Sequence, residues 1–384
     1  MIEASLKTDF ASGPGMNSMV MNFQQRYERH LELAMHWLAG SIRPRGGSAA
    51  HLALSGVWSR SYPETSGYII NTFLDYGRRS QEPRWATLAH ALGDWLLEIQ
   101  MESGAWSGGV HPRAQPSESV FNTAQIVLGL GALYQVSGEM RYLQAMERGA
   151  QWLAATENGA GSWATGNYRG SFNPTYYTRV TWPMLEAARL TGDGRIRESA
   201  GRVLEQLLTR RHPDGSFADW GFSFGAGAFT HTIAYTLRGF LESGRLLGEE
   251  EHFLDAVSPA VERLYRRAEL RQGLLPGFFG DGWKRDQSFV CLTGNAQIAL
   301  VLLRYESARP DLRLVNAACK LVDYVCHRQI LSPLSGRFRG AIAGSSPVWG
   351  PYLRFRYPNW AAKFFADSLM LLMQRLESEA KVVR

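Results

Sequence analysis

The chain has 384 residues, of which 45% are hydrophobic, 12% aromatic and 20% charged; this mixture excludes a disordered or fibrous chain and describes a soluble, packed globular protein. Its formal net charge of +6 comes from 41 Lys and Arg against 35 Asp and Glu, interspersed without a basic block, so nucleic acid is not the expected partner. The three cysteines, Cys291, Cys319 and Cys326, cannot build a disulfide framework and lack the spacing of a zinc site, so they read as reduced thiols, with no metal or cofactor expected.

Residues 1–22 are rich in Ser, Gly and Pro and lack a basic stretch followed by an apolar one. They read as a loose arm without a secretory signal, followed by one domain over 23–384, and a cytoplasmic protein is expected. No run of about 18 apolar residues occurs, which argues against a transmembrane helix.

From there two kinds of helical segment alternate. An amphipathic one around Trp37 is followed by ETSGYIINTFLDYG from Glu64, small-residue-rich and apolar on nearly every face. The next amphipathic segment surrounds Trp95, and the next apolar one, NTAQIVLGLGALYQVSG, starts at Asn122. The alternation continues with Trp152 and TRVTWPMLEAARLTG from Thr178, Leu207 and HTIAYTLRGFLESG from His231, Leu264 and LTGNAQIALVLLRYES from Leu292, and Val325 and NWAAKFFADSLMLLMQRL from Asn359. An amphipathic helix covers a core and a helix apolar all round is buried within one. Gly138, Gly192 and Gly244 follow three of the apolar segments as C-terminal caps. The repeat of about 55 to 61 residues predicts an all-α fold, an (α/α)6 toroid of six helical hairpins with an inner and an outer ring. An open solenoid is the alternative.

The links from outer to inner helix are long and rich in Gly and aromatics, and all six emerge at one end of the ring, where function is expected. Within them, GAWSGG, GSWATG, DGSFAD and GDGW resemble the Gly/aromatic turns of terpenoid cyclase-like and six-hairpin glycosidase-like toroids. With YPETSGYI, YYTRVTW, HTIAY, CLTGNAQ and YPNWAAKFFAD, the chain is similar to bacterial toroid proteins associated with surface-polysaccharide genes. The resemblance implies chemistry on a glycan. The Asp-x-Asp-Asp acid of terpene cyclases is absent, Cys291 stands alone where prenyltransferases hold zinc, and His231 is the single histidine at an apolar-helix start, where epimerase toroids use a facing pair.

A sugar site needs aromatic faces, groups that bind hydroxyls, and carboxylates at controlled separation. Trp58, Trp106, Trp163, Trp220, Trp283 and Trp360 stand near the inner-helix entrances, with Asn122, Asn295, Asp281 and Arg356 as further binding candidates. The first expectation is glycoside hydrolysis by two carboxylates drawn from Glu64, Asp219 and Asp286. The second is a uronate lyase or glucuronyl C5-epimerase: Tyr177 (or its neighbour Tyr176), His231 and Tyr235 move protons, and Arg179 neutralises the uronate. Lys363, inside an apolar helix, marks either an anion-binding corner or a buried ion pair to Glu64 or Asp367. A glycan-binding toroid without catalysis is the third reading. In each the partner is a glycan or oligosaccharide; oligomeric state is not legible.

Overall fold

The computed structural model describes the backbone of residues 14–382 and the side chains of 24–379. Twelve α-helices alternate along the described chain: α1 (Pro14–Gly40), α2 (Pro63–Ser80), α3 (Pro83–Glu98), α4 (Val120–Ser137), α5 (Met140–Thr156), α6 (Thr178–Thr191), α7 (Gly194–Leu208), α8 (Thr230–Leu247), α9 (Glu250–Leu270), α10 (Leu292–Ala308), α11 (Leu312–Cys326) and α12 (Asn359–Val382). The even-numbered helices form the inner ring and the odd-numbered ones the outer ring of an (α/α)6 toroid. Residues 1–13 of the expected arm lie outside the described residues, whereas 14–22 already belong to α1, so the first helix starts earlier than Phe23.

The division into two rings follows from side-chain pattern. In α11 the buried positions Leu314, Val315, Ala318, Leu321, Val322 and Val325 fall on one stripe, whereas in α4 nearly every residue from Val120 to Leu133 is buried, as a helix surrounded by others requires. Glycine lets the inner helices touch. A Cβ on Gly129 in α4 would lie 2.0 Å from the carbonyl oxygen of Gly67 in α2, and one on Gly239 in α8 would lie 2.2 Å from the Thr178 hydroxyl at the start of α6. Gly138 and Gly192 close α4 and α6 in the left-handed conformation. Gly244 does not cap: α8 runs on to Leu247 and ends at Gly248, and Gly244 instead gives way to the Phe253 ring of α9.

The ring is closed. Across the seam between α12 and α2, Thr72 donates to Asp367 at 2.8 Å, and Asn359 donates to Thr65 and Ser48, each at 2.8 Å. In the outer ring Tyr27 of α1 donates to Asp323 of α11 at 3.0 Å. Strand β1 (His51–Ala53) pairs antiparallel with β7 (Arg356–Pro358) over the same seam. Between them in the chain, β2 (Ala228–Phe229), β3 (Phe278–Phe279) and β4 (Arg285–Asp286) form one small sheet, and β5 (Val290–Cys291) pairs with β6 (Ser345–Ser346). These ribbons tie the long links together at the end where the inner helices begin. Among the described residues no helix is long and apolar enough to cross a membrane.

Candidate active site

The inner-helix starts converge on one acidic side chain. Glu64 is in the first turn of α2, behind Pro63, and is buried. Burial pushes its carboxyl up from 4.5 to about 7, against the opposing pull of a hydrogen bond with Tyr62 and the positive charge of Arg179. Its charge also acts on Tyr68, Tyr176, Tyr235 and Tyr352, so Glu64 is the carboxylate that these buried tyrosines share. An acid near neutrality in a low-dielectric site is equipped to hold or release a proton at working pH.

Around Glu64 runs a circle of aromatic rings drawn from several hairpins. Tyr62 packs against Trp360 at 6.2 Å, and the Trp360 indole donates to the Tyr352 hydroxyl at 2.8 Å. Tyr352 packs on His231 at 4.9 Å, His231 on Phe222 at 5.5 Å, Phe222 on Tyr176 at 5.9 Å, and Tyr176 on Phe121 at 5.5 Å. Tyr235, one helical turn beyond His231, lies 5.0 Å from it and 5.7 Å from Phe121. Tyr62, Phe121, Phe222 and Trp360 are half-buried and form the accessible rim, while Tyr176, His231, Tyr235 and Tyr352 are buried beneath it.

Among the described residues, His231 of this circle and Arg179 beside it each carry buried nitrogens with no hydrogen-bond partner. Both ring nitrogens of His231 are buried without a hydrogen-bond partner, and burial drives the imidazole down from 6.5 to about 3, so it is neutral at ordinary pH. Arg179, buried in α6, gives one bond to Gln125 at 3.0 Å and stacks 4.6 Å from the Trp182 ring and 5.3 Å from the Tyr235 ring. Its Nε has no partner. Burial lowers its pKa to about 10, which leaves it cationic at neutral pH. Native interiors rarely leave such groups unpaired, and a catalytic role is one of the physical reasons for an exception.

Several of the residues expected from sequence lie elsewhere. Asp219 accepts the backbone N–H of Gly225 within its own loop at 2.9 Å, and Asp286 accepts that of Ser288 at 2.9 Å. Asp281 is exposed. The three do not join Glu64, because the links that carry them fold back on themselves through such short side-chain turns. The Tyr177 hydroxyl points elsewhere, donating to Asn167 at 3.0 Å, while its ring packs on Trp163 and, at the edge of the circle, on Phe121 at 6.2 Å. Tyr176 is the one of the pair that faces Tyr235 and Glu64. Asn122 and Asn295 spend their amides on the carbonyls of Ser107 at 3.0 Å and Gly273 at 2.6 Å, tying each loop to its inner helix.

Most of the expected stacking tryptophans are structural. Trp106 and Trp163 are 0% and 1% exposed, and their indoles donate to Leu96 and Leu153 carbonyls near the ends of α3 and α5, at 2.7 and 2.9 Å. They satisfy carbonyls that a helix end leaves open. Trp220 and Trp283 are buried against each other at 5.2 Å. Trp58 packs on Trp37, away from the aromatic circle, and Arg356 is exposed in β7. Only Trp360 of the group presents a half-buried face at the site. Lys363 pairs with Asp367 one turn along α12 and sits 5.3 Å from the Tyr68 ring. Tyr68 was legible, since it follows Glu64 by one helical turn; Tyr352 and Phe222 were not, because long loops carry no periodic signal.

No family model matches the chain, and no curated protein matches it. Solved structures do. An unsaturated glucuronyl hydrolase specific for heparin aligns with a TM-score of 0.74 at 15% identity, over 92% of this chain and 97% of that one. The cellobiose 2-epimerase of Spirochaeta thermophila aligns with a TM-score of 0.73 at 15% identity, over 95% and 100%. A polysaccharide lyase aligns with a TM-score of 0.65 at 11% identity, over 92% and 98%. At these identities the similarity establishes the (α/α)6 toroid shared by all three and leaves the reaction to the residues at the mouth of the ring.

Proposed function

We propose that the chain is a carbohydrate-active enzyme that transfers protons at one carbon of a uronate sugar, as a lyase or a C5-epimerase. The observation that carries this reading is the composition of the ring mouth: one carboxyl poised near neutrality, a neutral His231, Tyr235, and a buried Arg179 with no carboxylate bound to it. Arg179 draws in the sugar carboxylate and stabilises the charge that spreads onto it when the neighbouring C5 proton leaves. Glu64 or His231 takes that proton. In elimination the C4–O bond then breaks, its electrons stay on the leaving oxygen, and Tyr235 protonates that oxygen; in epimerisation Tyr235 returns a proton to the opposite face of C5. Trp360 and Tyr62 supply the stacking surface for the ring.

Hydrolysis by paired carboxylates is the second reading. The raised carboxyl of Glu64 suits a general acid and the similarity to a glucuronyl hydrolase is in its favour, but Asp219 and Asp286 are engaged in their own loops. A place in surface-polysaccharide assembly or turnover, in the cytoplasm, goes with either reading.

The test is turnover of uronate oligosaccharides, read as ultraviolet absorbance of a new C4=C5 double bond or as deuterium entering C5 from heavy water. Glu64→Gln and His231→Phe are expected to abolish the signal while Tyr177→Phe retains it. Release of reducing ends without either signal favours hydrolysis. Glycan binding with no turnover of any kind favours a non-catalytic toroid and overturns the proposal.

A further inference from the structure

One sizeable cleft lies away from the ring mouth. A cleft of about 750 Å³ opens beside α1, lined among others by Arg29, Trp37, Arg43, Trp58, Arg337 and Arg339. Its charge is one-sided. Among the described residues Glu32 is the single carboxylate on its wall, and it lies 3.7 Å from His36 of the same helix. Among the described residues none of the four arginines forms an ion pair; Arg29, Arg337 and Arg339 are exposed and Arg43 is half-buried.

The cleft has an aromatic floor as well. The Trp58 ring packs on Trp37 at 5.2 Å, and the Arg43 guanidinium lies over Trp58 at 5.9 Å. The walls are held in place: the Trp37 indole donates to the Arg337 carbonyl at 2.9 Å, and the Arg337 guanidinium donates to the Gly56 carbonyl at 3.2 Å. Planar guanidinium groups bind carboxylate and sulfate in bidentate fashion, and a tryptophan face accepts the apolar side of a sugar ring. Phosphate alone needs no such floor.

The cleft and the ring mouth are neighbours but separate. Trp58 lines the cleft, and four residues later Tyr62 packs on Trp360 at the mouth; the β1–β7 ribbon stands at this seam. We infer that the arginine cleft is a second glycan site, which binds an anionic stretch of polysaccharide, uronate or sulfated, outside the reacting centre. The glycan class rests on the function proposed above; the site itself rests on the cleft.

Calorimetric titration of the full chain with a heparin tetrasaccharide tests this, with cellotetraose as the neutral control. The double variant Arg43→Gln/Arg337→Gln is expected to bind one tetrasaccharide per chain fewer than the parent, or to bind it about tenfold or more weakly at that site. Raised salt is expected to weaken the same component. Arg29→Gln/Arg339→Gln, at exposed positions with no backbone bond to lose, gives the same answer if the first variant is poorly folded. Glu64→Gln is expected to leave this component intact, so loss of turnover and loss of cleft binding are read separately. Parent-like binding in both arginine variants overturns the inference. Equal affinity for tripolyphosphate or a single-stranded oligonucleotide overturns the glycan assignment.

Discussion

Glu64→Gln keeps the size of the side chain and an acceptor for Tyr62 while removing the titration, so it isolates what burial does to this carboxyl. The folded value is about 7 against an ordinary 4.5, so between these values the native chain holds a proton that the unfolded chain has released. Stability therefore falls as pH rises through that window. The cost is absent below about pH 4.5 and complete above about pH 7, and at about 1.4 kcal/mol per pH unit it reaches roughly 3 kcal/mol. His231 works in the other sense. Its folded value is about 3 against 6.5, so its contribution is present above that ordinary value and is lost as pH falls toward 3. The two slopes overlap in mildly acidic solution, and a parent curve alone does not separate them, whereas the difference between variant and parent does. In urea unfolding, Glu64→Gln is expected to gain roughly 2–3 kcal/mol more relative to the parent at about pH 8 than at about pH 5. A difference that stays constant across this range refutes the claim that burial of Glu64 among tyrosines outweighs the compensation from Tyr62 and Arg179.

Two further substitutions separate packing from binding. Trp106→Ala empties a fully buried site and removes the indole bond to Leu96, and is expected to cost about 3–5 kcal/mol with glycan affinity unchanged in chains that remain folded; Trp360→Ala is expected to lose affinity instead, as titration with a uronate oligosaccharide measures. Gly129→Ala drives a Cβ into the Gly67 carbonyl and forces α2 and α4 apart, so a loss of about 1–3 kcal/mol or more is expected in denaturant unfolding, and an unchanged midpoint would contradict the close approach of the inner helices.

The residues of the mouth divide by how far their evidence reached along the chain. Glu64, Arg179, His231 and Tyr235 were found because each sits at or within a turn or so of an inner-helix start, a position that helical periodicity locates locally. Trp106 and Trp163 were misjudged for the same reason they were noticed: they recur at one place in the repeat because each satisfies the end of its own outer helix, and a repeated structural duty looks like a repeated binding motif in sequence. Asp219 and Asp286 stand beside aromatics in the chain, yet the side-chain turns that hold them are decided by loop conformation, which has no period.

What the sequence by itself determined is the alternation of two kinds of helix, and with it the six hairpins, the two rings and the end of the ring that carries the long links. These follow from burial patterns of 3.6-residue period, a local property of the chain. Tertiary structure alone decided that the ring closes, that Tyr176 rather than Tyr177 faces the centre, and that Glu64 rather than a pair of carboxylates stands among the tyrosines. It also decided that four arginines from the two ends of the chain line one cleft. Each of these depends on segments up to about three hundred residues apart meeting across the seam of the toroid, and the free energy of such contacts depends on the assembled geometry, which no stretch of sequence contains.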